Sequence, residues 1–175
     1  FSSLSISESL EFLWISCCSK FDIFFLTFPQ SKLSKKQMWP DVSNCRIAGK
    51  TASDAIGDDA WLHGSFIDAV KKRGAAVLEA RGTSSSGSAA SAAIDHVRDW
   101  MLGTKGRWTS MAIYSDGSYD MNRGLYSSFP VTTEPGGRVK IVKGLKIDER
   151  AAQAIAASRD ELLKERDIAF SELGL

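Results

Sequence analysis

Histidine and cysteine are both scarce in this sequence, and their scarcity removes several kinds of chemistry at once. The two histidines, His63 and His96, stand far apart, and a metal site needs more ligands than they offer. Three cysteines is an odd number, and Cys17 and Cys18 are neighbours, so there is neither a disulfide framework nor a C-x-x-C metal pair. That usage fits a reducing compartment. Excess charge of one sign is missing too. Lys and Arg number 22 against 21 Asp and Glu, and a net charge of +1 supplies no field for steering nucleic acid or an anionic membrane. Nor is there a clean apolar run. Leu10 to Phe28 has the length of a membrane span, but Glu11, Lys20 and Asp22 interrupt it. Each charge near a helix centre costs about 2.5–3.5 kcal/mol on insertion scales, so no span is expected. No G-x-S-x-G elbow and no G-x-G-x-x-G turn occurs.

What is there centres on Arg73 to Trp100, RGAAVLEARGTSSSGSAASAAIDHVRDW. Its first half continues a helix that starts near Asp59; Gly82 to Ser88 is a hydroxyl-rich break. Beyond the break Ala89, Ala90, Ala92, Ala93, Ile94, Val97, Trp100 and Met101 recur at three- and four-residue steps, which is one helical face. Ser86 or Ser88 suits its N-cap, and Gly103 suits a left-handed stop. So many small residues predict tight packing against a neighbouring helix. Helix, hydroxyls, helix is a good place to hold a polar ligand, with Ser84, Ser85 and Ser86 as donors. It supplies no acid, base or nucleophile. Asp95 and His96 are adjacent, and adjacent side chains do not face each other on a helix, so they form no dyad.

Taken in order, residues 1–37 differ in character from the rest: rich in Ser and Phe, without the basic start of a secretory signal. They are expected to form a poorly ordered leader, and the opening Phe1 suggests an incomplete gene model or a processed product. Ile23 to Phe28, IFFLTF, is an aggregation hazard if exposed. Pro40 to Gly49 reads as an extended segment ending in a turn. Gly49-Lys50-Thr51 looks like the tail of a phosphate loop, but Asn44 stands where its first glycine belongs, so a solvated turn is expected. Asp58 and Asp59 open a helix whose inner side carries Leu62, Phe66, Ile67, Val70, Val77 and Leu78. Gly74 falls in its middle, marking a kink or a close approach to the backbone. Strands follow at Arg107–Ser115, Tyr126–Thr133 and Arg138–Val142, with turns at Asp116-Gly117 and Glu134–Gly137. In the last strand Val139 and Ile141 face one way, Arg138 and Lys140 the other, so the sheet is antiparallel with one wet face. Asp148 caps a final helix through about Leu173, with Ile155, Leu162, Phe170 and Leu173 as buried candidates and an Asp160–Lys164 pair. The fold class is α+β, helices packed on an antiparallel sheet.

From Trp39 onward the chain resembles the C-terminal half of cytosolic-type NAD-dependent malate dehydrogenases. The residues that carry this are PDV at Pro40–Val42, DDAWL at Asp58–Leu62, RGAAV at Arg73–Val77, SAASAAIDHVRDW at Ser88–Trp100, SMAIYSDGSY at Ser110–Tyr119, then YSSFPV and IVKGLKIDE. The resemblance implies a substrate domain over residues 38–175, with the Rossmann domain missing. It implies malate and oxaloacetate as substrates, NAD as cofactor, a cytoplasmic location, and a homodimer through Ser88–Leu102. Ser84 matches a serine beside the bound substrate, and Gly74 the small residue that lets the helix pass close to it.

The family's catalytic histidine stands in a G-N-H-S-x-T-x-Y-P-D motif. Here Trp39-Pro40-Asp41 matches its end, while Lys32-Leu33-Ser34-Lys35-Lys36-Gln37 occupies the place of the rest. Neither a catalytic residue nor a metal ligand is therefore assigned. The expectation is a partial malate dehydrogenase, inactive alone, or alternatively a truncated non-catalytic subunit that pairs with an intact malate dehydrogenase.

Overall fold

A computed structural model describes residues 24–26 (main chain only), 39–83 and 86–174. Apart from 24–26, the leader of residues 1–37 lies outside the described residues. Phe24–Leu26 forms strand β1, antiparallel to β2 (Trp39–Asp41), with Phe24 opposite Asp41. A small hairpin follows, β3 (Arg46–Ile47) and β4 (Lys50–Thr51). Ala48 and Gly49 turn it with φ of 50° and 83°, the left-handed pair that matches strand twist. The Gly49–Lys50–Thr51 tract is thus an exposed turn.

Helix α1 (Ala52–Ile56) is capped by the Thr51 hydroxyl, which accepts from the Asp54 N–H at 3.1 Å. The single helix expected from Asp59 is two. Helix α2 (Asp59–Leu62) is capped by Asp58, accepting from the Trp61 N–H at 2.8 Å, and it stops at His63. Gly64 leaves helical space at φ −126°, ψ −96°, before α3 (Ser65–Arg81) begins. A lone glycine in a helical period is readily tolerated, which is why the pattern hid this break. Along α3 the expected apolar side is covered only at its start. Ile67 and Val70 are buried, whereas Leu78 is 52% exposed, because the second half overhangs the rest of the chain.

Helix α4 (Ser86–Leu102) keeps its expected length, and Gly103 ends it at φ 83°. Ser86 and Ser88 both lie within the helix, so neither is its cap. Among the described residues, the expected tight packing against a neighbouring helix does not occur. No residue of α4 is buried, and its packing is with the sheet at its C-terminal end.

The sheet is β5 (Thr109–Tyr114), β6 (Tyr126–Glu134) and β7 (Arg138–Ile141), antiparallel in that order. Met111 pairs with Phe129, and Val131 with Ile141. Arg138 and Lys140 are exposed while Val139 and Ile141 turn inward, as the alternation required. Asp116-Gly117 is not a tight hairpin turn. It opens a loop with a 3-10 turn at Ser118–Asp120, tied by the Ser115 hydroxyl donating to the Met121 carbonyl at 2.8 Å. Hydrogen bonds from Ser118 lower the Asp116 carboxyl to about 2, with Lys143 at 3.2 Å assisting. Burial pushes the Tyr119 phenol up, and its hydroxyl donates to the Val142 carbonyl at 2.5 Å.

Helix α5 (Glu149–Leu173) starts on Asp148, which accepts from the Ala151 N–H at 2.7 Å. Its Ile155 completes a core with Met111, Met121, Leu125, Phe129 and Val131, and Leu162 packs on the margin. Phe170 and Leu173, expected inside, are exposed. The reason is length. Twenty-five residues span about 37 Å, and strands of four to nine residues cannot cover that much helix. Asp160 pairs with Arg159 at 3.2 Å, not with Lys164; Arg159 also clamps Asp120. Among the described residues, no helix is long and apolar enough to cross a membrane.

Candidate functional site

Gly74 sits on α3 one turn after Val70 and two turns after Ile67, so all three share the face turned toward the molecule. It falls where cover for that face runs out. The helix passes through it without a break, which rules out the kink. A Cβ built there would meet nothing within 4 Å. The backbone at Gly74 therefore borders open space large enough for something outside this chain. The stripe runs on past Val77 to Arg81, seven residues and about 10 Å further along the axis. Gly82 then ends α3 at φ 69°, its N–H donating to the Leu78 carbonyl at 2.8 Å, and Thr83 stands exposed. Ser84 and Ser85 lie outside the described residues. The structure thus leaves Gly74 exposed with nothing against it, and does not describe the hydroxyl of Ser84.

The histidines take no part. His63 closes α2, its backbone N–H donating to the Asp59 carbonyl at 3.0 Å. His96 is exposed on α4, and Asp95 beside it pairs with Arg98. Among the described residues, no group of three or more His, Cys, Asp or Glu could hold a metal ion.

One polar brace escaped the sequence reading. Asp41, which ends the W-P-D tract, is buried at 4% exposure. Its Oδ1 accepts from both the N–H and the hydroxyl of Ser43, at 2.9 and 2.6 Å. The Ser43 hydroxyl also lies 3.5 Å from Oδ2 of Asp148, the cap of α5, and the Asn44 side chain donates to the Lys146 carbonyl at 3.0 Å. The D-x-S spacing is a local Asx-turn signal. The partners more than a hundred residues away leave no trace in sequence. The brace fixes the end of the motif against the start of α5, which holds the segment leading into the site.

Residues 36–173 match the family model described as lactate/malate dehydrogenase, alpha/beta C-terminal domain. The chain belongs to this family. A malate dehydrogenase from Naegleria fowleri, known from a crystal structure, is 40% identical, with a TM-score of 0.71. That match covers 86% of this chain and 44% of the other. Lactate dehydrogenase of Trichomonas vaginalis, solved in complex with NADH and oxamate, shares the fold at a TM-score of 0.73 and 24% identity. It covers 99% of this chain and 55% of its own. Malate dehydrogenase of Plasmodium falciparum has a TM-score of 0.71 at 12% identity, covering 97% of this chain and 55% of its own. The chain thus spans about half the length of the dehydrogenases it matches. The architecture described above, helices on an antiparallel sheet, is that of the lactate/malate dehydrogenase C-terminal domain.

Proposed function

We propose that residues 38–175 form the substrate side of a malate dehydrogenase, a domain that shapes the pocket without performing the redox step. The observation that carries the choice of malate is the 40% identity to a malate dehydrogenase over 86% of this chain, against 24% to a lactate dehydrogenase. On this reading the reaction interconverts malate and oxaloacetate with NAD. Gly74 lets substrate approach α3, and the Ser84 hydroxyl binds it. When bound, NAD supplies the hydride acceptor. The residues present do not fit that coenzyme: the described strands are all antiparallel, and the sequence holds no G-x-G-x-x-G turn. Lys32–Gln37 stand where the family motif places its histidine, so the general base is wanting as well. Loss of a general base alone costs roughly 10²–10⁴-fold, hence the chain is inactive by itself. A cytoplasmic location goes with this reading.

A second reading draws on the bare apolar face of α4: pairing through Ser88–Leu102, either with another copy or with an intact malate dehydrogenase as a non-catalytic subunit.

Two chimeras test the first reading. Residues 38–175 replace the equivalent segment of the Naegleria malate dehydrogenase in one, and of the Trichomonas lactate dehydrogenase in the other. NADH oxidation by oxaloacetate is expected in the first, and none by the 175-residue chain alone. Turnover by the lactate chimera only would overturn the choice of malate. Turnover by the isolated chain would overturn its inactivity.

A further inference from the structure

An aspartate followed by glycine is a weak joint in a polypeptide, because no Cβ screens the glycine nitrogen from the acid's side chain. Asp116-Gly117 is the one such pair in the sequence, which holds no Asn-Gly either. In the ring-closing step the Gly117 nitrogen attacks Asp116 Cγ. A C–N bond forms, and one carboxyl oxygen leaves as water, taking the amide hydrogen and the proton of the neutral acid. Water then reopens the cyclic imide at either carbonyl, giving back aspartate or the β-linked isomer. No oxidant or reductant is consumed.

Here the atoms that must leave are tied. The Gly117 N–H donates to the Ser115 hydroxyl at 3.1 Å. Ser115 is itself fixed and 2% exposed: its hydroxyl donates to the Met121 carbonyl and its N–H to the Leu125 carbonyl, each at 2.8 Å. Of the two carboxyl oxygens of Asp116, Oδ1 accepts from the Ser118 N–H at 2.9 Å, and Oδ2 lies 3.2 Å from the Lys143 ammonium. Whichever oxygen departs, one of these contacts goes with it. Ser118 first, and Lys143 after it, also favour the carboxylate, whereas the neutral acid is the form that loses water. The loop that supplies Ser118 is strained. Tyr119 and Asp120 have φ of 55° and 60°, left-handed values that a Cβ disfavours. They are kept there from outside the loop, where the Tyr119 hydroxyl donates to the Val142 carbonyl at 2.5 Å and Arg159 of α5 pairs with Asp120.

We infer that Asp116-Gly117 is a latent isoaspartate site, kept closed by Ser115, Ser118 and Lys143. Opening of the loop admits a reaction that refolding does not reverse. The isomer adds a methylene to the main chain between Asp116 and Gly117, which changes the spacing from β5 to the ties at Val142 and Arg159. The site thus records loop opening as a covalent mark, independently of whether the chain turns over malate.

The test incubates the full 175-residue chain at neutral pH, in buffer and separately in urea. Isoaspartate at position 116 is quantified by enzymatic methylation of the isoaspartyl carboxyl and located by peptide mass spectrometry. The unfolded chain is expected to accumulate it at least about tenfold faster than the folded one, the scale of one lost hydrogen bond. In buffer, Ser115→Ala frees the Gly117 N–H and is expected to raise the rate about tenfold. Lys143→Ala, a change at a solvent-exposed side chain, is expected to raise it by a smaller factor. Amide hydrogen exchange shows whether β5 and β6 stay protected in each variant; if Ser115→Ala loses them, Lys143→Ala decides. Equal rates in folded and unfolded wild type, or no isoaspartate at 116 in either, overturn the inference. So does a folded variant set that isomerises as slowly as wild type.

Discussion

Gly103→Ala is expected to lower stability by about 2–5 kcal/mol and the midpoint of thermal unfolding by roughly 5–15 °C. Two costs add. Gly103 holds φ at 83°, a left-handed backbone that disfavours any Cβ. The Cβ would also lie 3.0 Å from the Pro135 Cδ and 3.1 Å from the Pro135 nitrogen and the Thr133 carbonyl oxygen. None of these is the free end of a flexible side chain. The proline ring is rigid, and the Thr133 carbonyl accepts from the Thr104 N–H. Gly74→Ala is the natural comparison, because its Cβ would meet nothing. Mid-helix, that change is expected to stabilise by about 1 kcal/mol. Calorimetry on both variants decides the matter. A Gly103→Ala protein as stable as wild type would mean that the junction between α4 and the β6–β7 turn is not packed as described.

Phe129→Ala is expected to cost about 3–5 kcal/mol, a large part of the roughly 5–15 kcal/mol that holds an ordinary domain folded. Phe129 is 1% exposed, stands opposite Met111 across the β5–β6 ladder, and packs among Met121, Leu125, Val131 and Ile155. Trp39 and Trp108 lean on the same cluster, so the cavity left behind has bulky, stiff walls that close poorly. Urea unfolding followed by tryptophan fluorescence reads the loss directly. A change under about 1 kcal/mol would place the centre of the core elsewhere.

These two sites also show what could be read from residues alone. Phe129 lies in YSSFPV, in the second of three strands placed by their β-forming residues; alternation marked an inward face only in the third, and the second is buried on both faces from Ser127 to Val131. Gly103 stood out as a helix stop, and α4 ends there. The break at His63–Gly64 was invisible, because one glycine does not disturb a helical period. The larger misreading concerned cover. Ile94, Val97, Phe170 and Leu173 sit at helical spacings that signal an apolar face, yet spacing is silent on what the face meets. In this chain it meets water. The Asp41–Ser43–Asp148 brace was hidden for a related reason: the buried Asp41 carboxylate bonds locally to Ser43, but the contacts of Ser43 with Asp148 and of Asn44 with Lys146 are made only by the fold. At the candidate site, Gly74 was read as a kink or a point of close approach; the helix is unbroken there and nothing lies within 4 Å of a Cβ built on it, while Ser84 falls outside the described residues.

The bare ends of α3, α4 and α5 carry a thermodynamic signature. Apolar groups already hydrated in the native state contribute nothing when the chain denatures, since they pass from water to water. The heat-capacity increment of the isolated polypeptide therefore falls below the about 12–15 cal/mol/K per residue of ordinary domains, giving a flatter dome of free energy against temperature. Whatever binds those surfaces restores the missing increment, so a calorimeter can register a partner before anyone knows its name.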